Sequence, residues 1–374
     1  MARTRLFEPV TVGSLEVASR MWMPPMCQYS AAPLGPELGR PTDWHLVHYG
    51  ERARGGVGAV IVEATGVTPE GRISINCLSL HDDAQIASFA RLADVIHAGG
   101  ARAFIQLNHA GRKGSTFAGW KSGSGYPTVD EGGWETLAPS SIPFAPGDPA
   151  PRALDEEGIL GIVDAFAAAT RRALAAGFDG VQIHAAHGYL IHQFLSPASN
   201  ARTDRWGGDF GGRTRLAREV TRAVREASGS APVMVRISAT DWTQEYAGDG
   251  RPGWTLAETE RLVPLLVEEG ADCVNVSTGG NVADARISGG PGYQVFAAAA
   301  VRRALADSGR VVPVATCGLI TAPEQAEQIL AGGCADVVET ARLLLTDPWA
   351  PQAWRARLRA PYSLPDQYLR GTHR

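Results

Sequence analysis

Two imidazoles and a phenol stand together in Gly180-Val181-Gln182-Ile183-His184-Ala185-Ala186-His187-Gly188-Tyr189. The stretch begins as a short apolar run, which predicts a buried strand. Its polar groups come where such a strand runs out. Strands bury their middles and expose their ends, so chemistry gathers at the ends. Two neutral imidazoles three residues apart can donate paired hydrogen bonds to one oxygen or anion. Tyr189 adds a proton donor two residues on. Together they form a candidate site for polarising a carbonyl and protonating a neighbouring carbon. A His-x-x-His pair also suits a structural or surface role. As a metal pair it lacks a third carboxylate or cysteine ligand nearby.

The elements that must position these groups alternate along the whole chain. Eight β-rich runs are predicted, at 21–26, 57–65, 101–109, 180–186, 232–238, 273–278, 312–317 and 335–340. Most are continuous apolar runs, as in a parallel sheet covered on both faces. Helical periods fall between them, at 83–98, 155–176, 216–227, 255–269, 295–306 and 322–330. Thr255 with Glu258 three residues on reads as a capping box. Eight βα units argue for an α/β fold of the (β/α)8 TIM-barrel type. A doubly wound sheet is the alternative, but no GxGxxG follows the first strand. Residues 7–17 read as an N-terminal β-hairpin placed to plug the barrel bottom. Residues 111–155, after the third strand, form a long insertion rich in Gly, Pro and Ser, the length of a lid. It carries Trp120, Tyr126 and Trp134, and its own fold is not legible. The whole chain, 1–374, reads as one domain ending in a tail at 360–374.

In such a barrel the C-terminal strand ends carry the chemistry. They present Cys27, Ala64, Gln106, His184 with His187, Arg236, Gly318 and Arg342. This set has no carboxylate cluster and no strand-end lysine; Lys113 lies in the insertion. It suits a flat, hydrogen-bonding, anionic cofactor, with glycine admitting a phosphate near backbone N–H groups. Each residue also has a plainer reading. Gln106 could bond a neighbouring backbone, Arg236 a carboxylate, and Tyr29 and Tyr189 could be rim packing. Cys77, Cys273, Cys317 and Cys334 read as buried hydrophobes.

Composition narrows the classes further. Of 374 residues 44% are hydrophobic, ample for a large core, and the net charge of −4 offers no field for nucleic acid. Only Lys113 and Lys121 among the 35 basic residues are lysines. Five cysteines with no CxxC spacing predict free thiols in a reducing compartment. No secretory h-region or spanning run of about 18 apolar residues appears, so a cytoplasmic protein is expected.

Four motifs resemble one family. Met23-Pro24-Pro25-Met26-Cys27-Gln28-Tyr29, Ile105-Gln106-Leu107-Asn108-His109-Ala110-Gly111-Arg112, the His184 to Tyr189 segment, and Arg202-Thr203-Asp204-Arg205-Trp206-Gly207-Gly208 are similar to those of the old yellow enzymes, flavin-dependent ene-reductases. The resemblance runs in order from residue 6 to 371 and is nearest the YqjM-like, thermophilic-like branch. The long insertion is similar to that of its xenobiotic reductase members.

The resemblance implies non-covalent FMN at the barrel mouth, with NADPH or NADH as reductant. It implies that Pro24, Pro25, Met26 and Cys27 face the flavin ring, with Ala64 beside it and Gln106 on its pyrimidine edge. It implies Arg236 near N1 and C2=O, and Gly318, Ala341 and Arg342 at the phosphate. His184 and His187 would hold the oxygen of an α,β-unsaturated carbonyl or nitro compound, with Tyr29 assisting. FMN N5 would deliver hydride to the β-carbon, and Tyr189 would protonate the α-carbon. Cys27 would tune the flavin. Arg370 would reach a neighbouring subunit's site in a homodimer or homotetramer. Neither metal, nucleic acid nor membrane is expected as a partner. Three positions depart from the family pattern: Pro24 where Ser or a small residue is common, Ala341 where Gly is usual, and Gly211-Gly212-Arg213 after the Arg-Thr-Asp motif. A non-catalytic flavin-binding barrel and a dienoyl-type flavin reductase remain as alternatives, the second needing an iron–sulfur domain for which no clustered cysteines exist.

Overall fold

A computed structural model describes residues 4–120, 125–246, 248–362 and 364–371. The chain opens with an antiparallel hairpin, β1 (Val10–Val12) and β2 (Leu15–Val17). β3 (Met21–Met23), β4 (Ala59–Gly66) and β5 (Arg102–Asn108) follow. Two short strands in the insertion, β6 (Leu137–Ala138) and β7 (Arg152–Ala153), pair only with each other. Then come β8 (Gly180–Ala185), β9 (Val233–Ser238), β10 (Cys273–Ser277), β11 (Val314–Thr316) and β12 (Val337–Glu339). β3, β4, β5, β8, β9, β10, β11 and β12 close into a parallel barrel in that order. This is the expected (β/α)8 architecture.

Helices return the chain between strands. α1 (Asp43–Arg54) follows β3, α2 (Ile86–Ala98) follows β4, and α3 (Glu156–Ala175) follows the insertion. α4 (Leu190–Leu195) and α5 (Phe210–Ser228) follow β8. α6 (Leu256–Glu268), α7 (Val295–Asp307) and α8 (Pro323–Ala331) complete the next three units. α9 (Arg342–Thr346) and α10 (Ala350–Arg357) follow β12. Among the described residues no helix is long and apolar enough to cross a membrane.

A period of two lies hidden in the apolar strands. Val60, Val62, Ile105, Leu107, Val235 and Val274 pack against helix side chains such as Phe89, Phe166 and Leu262. Their neighbours Ile61, Phe104, Met234, Cys273, Ala315 and Val337 form a second cluster with Trp22 and the hairpin's Val10, Val12 and Val17. The hairpin therefore does plug the barrel's N-terminal end. Each fully buried large apolar side chain contributes roughly 1.5–3 kcal/mol. Two residues further along the same inward rows the chemistry changes. The successors are Glu63, Gln106, Arg236, Asn275, Cys317 and Glu339, and all are buried. The barrel is thus apolar at its base and polar at its mouth.

Several predicted bounds move for identifiable reasons. The first strand stops at Met23, not residue 26, because Pro24 and Pro25 offer no N–H to the ladder. α5 begins at Phe210, six residues earlier than expected, with Asp209 Oδ1 accepting from Gly212 N at 2.8 Å; Gly211 and Gly212 masked it. No apolar period in the sequence marks α1. Its buried face is His45, His48, Tyr49 and Arg52, so it carries little apolar period. The box at Thr255 and Glu258 forms as expected.

Candidate active site

β8 delivers His184 to the mouth, level with Arg236 of β9. The chain then turns sharply. His187 has φ +58° and Gly188 has φ +74°. A Cβ at Gly188 would meet Gly280 O at 2.2 Å, so only glycine fits there. His184 Nδ1 accepts the Ala186 N–H at 3.3 Å, which leaves its ring proton on Nε2. That Nε2 lies 3.4 Å from His187 Nδ1, with the rings at 89°. With the His187 proton on Nδ1, two nitrogens so placed could both donate to one external oxygen. The Tyr189 ring stands 4.9 Å from that of His184. The three residues singled out by spacing therefore lie side by side.

Electrostatics fixes their protonation. Burial, then the Arg236 guanidinium, hold both imidazoles well below the ordinary histidine range, with Lys113 adding to both. Burial raises the Tyr189 phenol well above its usual range, so it keeps its proton. Two more rings behave like the pair: burial pushes His48 down to about 3 and His109 down to about 4. An unfolded chain titrates its histidines near pH ~6.5. Unfolding therefore takes up protons below that pH, so the stability these rings confer is fullest above about pH 6.5 and falls on acidification. Thermal melts should show the loss from about pH 6.5 downward, at roughly 1 kcal/mol per ring by pH ~5.5. A melting temperature flat to pH ~5 would contradict it.

The turn after β3 carries Pro24, Pro25, Met26 and Cys27. Cys27, Tyr29 and Tyr189 all pack against a small buried cluster of Ala64, Ile73, Cys77 and Ala110. A hydrogen bond with Cys77, then burial and the Glu63 charge, raise the Cys27 thiol, which stays protonated. Tyr29 has φ +49° and sets its ring edge-on to Trp120 at 5.3 Å. Glu63 braces this turn from below. Its Oε2 accepts from Gln28 N at 2.8 Å and its Oε1 from the Tyr49 hydroxyl at 3.2 Å.

A cleft runs from His187 and Arg236 past Ser277 and Cys317 to Gly318, Ala341 and Arg342. The chemistry of its donors fits FMN. On the paired strands β5 and β8, Gln106 Nε2 donates to Gln182 Oε1 at 2.7 Å, and the buried Gln182 Nε2 has no partner among the described residues, an orphaned donor that a cofactor could take. Arg236 is buried, with Nη2 on Ser277 Oγ at 2.9 Å and Nη1 3.8 Å from Glu339. Such a fixed cation suits negative charge on a reduced ring. At the far end Gly318 has φ +112°, and Arg342 lines the cleft as a second cation. Ala341, which departs from the family pattern, sits at φ −88° and carries no strain.

Arg370 is not brought to this site within one chain; it lies exposed in a 3-10 turn, Asp366–Gly371. Glu63, Glu339, Gln182 and Asn275 were missed as site residues because they sit inside apolar strands, where only the inward row reveals them. Cys317 is buried as expected, yet it lies in the cleft and contacts Gln294 Oε1 at 3.0 Å. Lys113, an insertion residue by sequence, reaches the site. Its Nζ donates to His187 O at 2.8 Å and Gly280 O at 2.7 Å, pinning the histidine turn. Arg202 does close a turn on Asp204 and also holds Pro139 O of the insertion.

Comparison with known proteins gives concordant results. Residues 5–359 match the NADH:flavin oxidoreductase / NADH oxidase family. An NADPH dehydrogenase of Geobacillus thermodenitrificans (strain NG80-2) is 42% identical over 368 residues, covering 98% of each chain. Among solved structures, morphinone reductase aligns with a TM-score of 0.76 at 27% identity, over 98% of this chain and 92% of that one. An old yellow enzyme homologue from Zymomonas mobilis aligns with a TM-score of 0.75 at 26% identity, over 96% and 94%.

Proposed function

The chain belongs to the NADH:flavin oxidoreductase / NADH oxidase family as a relative of the old yellow enzymes, and from that premise we propose that this FMN-dependent oxidoreductase reduces activated carbon–carbon double bonds. The observation that carries the reading is the pair His184 Nε2 and His187 Nδ1, 3.4 Å apart and electrically neutral, beside a protonated Tyr189. Neutral N–H donors grip the oxygen of an enone, enal or nitroalkene without trapping a free anion. Their hydrogen bonds strengthen as negative charge grows on that oxygen, which draws electron density from the β-carbon. FMN, when bound, would supply the redox chemistry, hydride exchange between NADPH or NADH and that carbon. Tyr189 Oη then hands its proton to the α-carbon as general acid. Tyr29 steadies the oxygen, and Cys27, kept as a thiol, would border the ring without competing as a nucleophile. Gln106 would hold the pyrimidine edge of FMN, and Gly318, Ala341 and Arg342 would hold its phosphate.

Arg370 is proposed to reach the site of a neighbouring copy in a homodimer or homotetramer, since in its own chain it is exposed and does not line the cleft. The insertion after β5 is proposed to cover the acceptor, as Phe144 lies 4.5 Å from Lys113, whose Nζ lies 5.2 Å from the Tyr189 ring. A cytoplasmic setting fits five unpaired cysteines. Absorption spectroscopy of the purified protein tests the reading. A yellow protein should give a long-wavelength charge-transfer band with a phenol, bleach with NADPH under anaerobic conditions, and recover with cyclohexenone. Its solution mass should be a multiple of 39.6 kDa. A flavin that NADPH cannot bleach would select the non-catalytic binding barrel instead.

A further inference from the structure

A histidine–carboxylate pair lies behind the oxygen-binding turn, outside the mechanism described so far. His192 of α4 and Asp241, just after β9, are both fully buried. His192 Nε2 lies 3.0 Å from Asp241 Oδ1 in a bent contact. On its other edge, His192 Nδ1 accepts the backbone N–H of Gly188 at 2.9 Å. We propose that Asp241, acting through His192, is a positioning residue for the turn that carries His187 and Tyr189. The inference rests on the ene-reductase reading for the function of that turn, though not for its geometry.

Residue 187 has a left-handed backbone that a non-glycine residue keeps only when its surroundings over-determine it. Four polar groups do so. Ser238 Oγ accepts from His187 N at 2.9 Å, Lys113 Nζ donates to His187 O, Gln193 Nε2 donates to Gly188 O at 2.7 Å, and His192 takes Gly188 N. His192 alone among these has two neutral tautomers, and only the one with its proton on Nε2 can accept from Gly188. A carboxylate is acceptor-only, so Asp241 selects that tautomer. Although burial alone would raise it, Asp241 is held below the usual carboxylate range by His192, Ser196 and the backbone of Trp254. Its Oδ2 accepts from Ser196 Oγ at 2.5 Å and Trp254 N at 2.9 Å, with Asn281 Nδ2 at 3.4 Å.

The same geometry dictates what Asp241→Asn does. The backbone N–H of Trp254 is a donor only, so the amide oxygen must take the Oδ2 position. The amide NH2 then faces His192 Nε2 and forces the proton onto Nδ1. Two donors now confront each other at Gly188, and the turn shifts. The Ser-His-Asp triad of serine proteases offers the precedent in principle: there too Asp→Asn keeps the geometry and spoils the tautomer.

The test uses the FMN-loaded enzyme. Asp241→Asn should weaken phenol binding and slow reoxidation by cyclohexenone by about tenfold or more, the size of one lost buried hydrogen bond. Flavin content should be unchanged, and flavin reduction by NADPH should move by less than about threefold on the same scale. His192→Gln, whose amide can accept from Gly188 and donate to Asp241, should stay near wild type. His192→Leu, with no acceptor, should behave like Asp241→Asn. A purely structural pair would make both His192 variants fail alike, and that outcome overturns the proposal. Phenol binding by Asp241→Asn or His192→Leu equal to wild type also overturns it. Should the variants lose FMN or fail to fold, 15N NMR of wild-type His192 decides: the proton belongs on Nε2, and a proton on Nδ1 sinks the idea. If wild type binds no phenol, the function reading fails, while the tautomer measurement still judges the pair.

Discussion

Replacing His184 and His187 together by alanine should weaken phenol binding and slow alkene-driven reoxidation by roughly 10²–10³, the cost of removing donors aimed at a developing oxyanion. The two nitrogens sit 3.4 Å apart, so they serve one oxygen and not two. Losing one leaves the other to hold it; losing both leaves the oxygen of a bound enone facing a dry wall. The double variant therefore should cost more than either single change, and the two effects should not simply add. Stopped-flow reoxidation by cyclohexenone, with a phenol titration alongside, reads both quantities. Because the rings are neutral, the wild-type phenol affinity should not fall between about pH 6 and 8 through imidazole titration. Normal cyclohexenone turnover by the double variant would remove the pair from the mechanism.

Tyr189→Phe should slow the alkene half-reaction by about 10²–10⁴, the range for a general acid. Flavin reduction by NADPH needs no proton from this phenol and should change far less. The substitution removes one oxygen and keeps the ring that packs near Cys27 and His184, so the site should hold its shape. Equal slowing of both half-reactions would show that the ring positions ligands and that the proton comes from elsewhere. A nitroalkene offers a finer reading. Its nitronate product is stable enough to leave unprotonated, so Tyr189→Phe should still transfer hydride to it while protonation lags.

The barrel was legible because eight apolar runs alternate with helical periods, and nothing else accommodates that rhythm so simply. His184, His187, Tyr189 and Arg236 were legible because polar residues at strand ends announce themselves. Glu63 and Glu339 did not, since each lies inside a run that reads as apolar throughout. His192 reads in the sequence as one more polar residue on a helix whose every side chain is buried. Asp241 falls in a loop that no period marks. Cys77 looked inert until the fold set it against Cys27.

The sequence by itself determined which residues fall at the ends of strands and which glycines and prolines stop them. Those are local properties, fixed by alternation and by backbone sterics within a few positions. Only the closed barrel decided the rest: the inward row that turns polar at the mouth, the separation of the two imidazoles, and the meeting of His192 with Asp241. Such facts depend on the register between β8 and β9 and on how loops from distant units pack, and no neighbour in the chain encodes them.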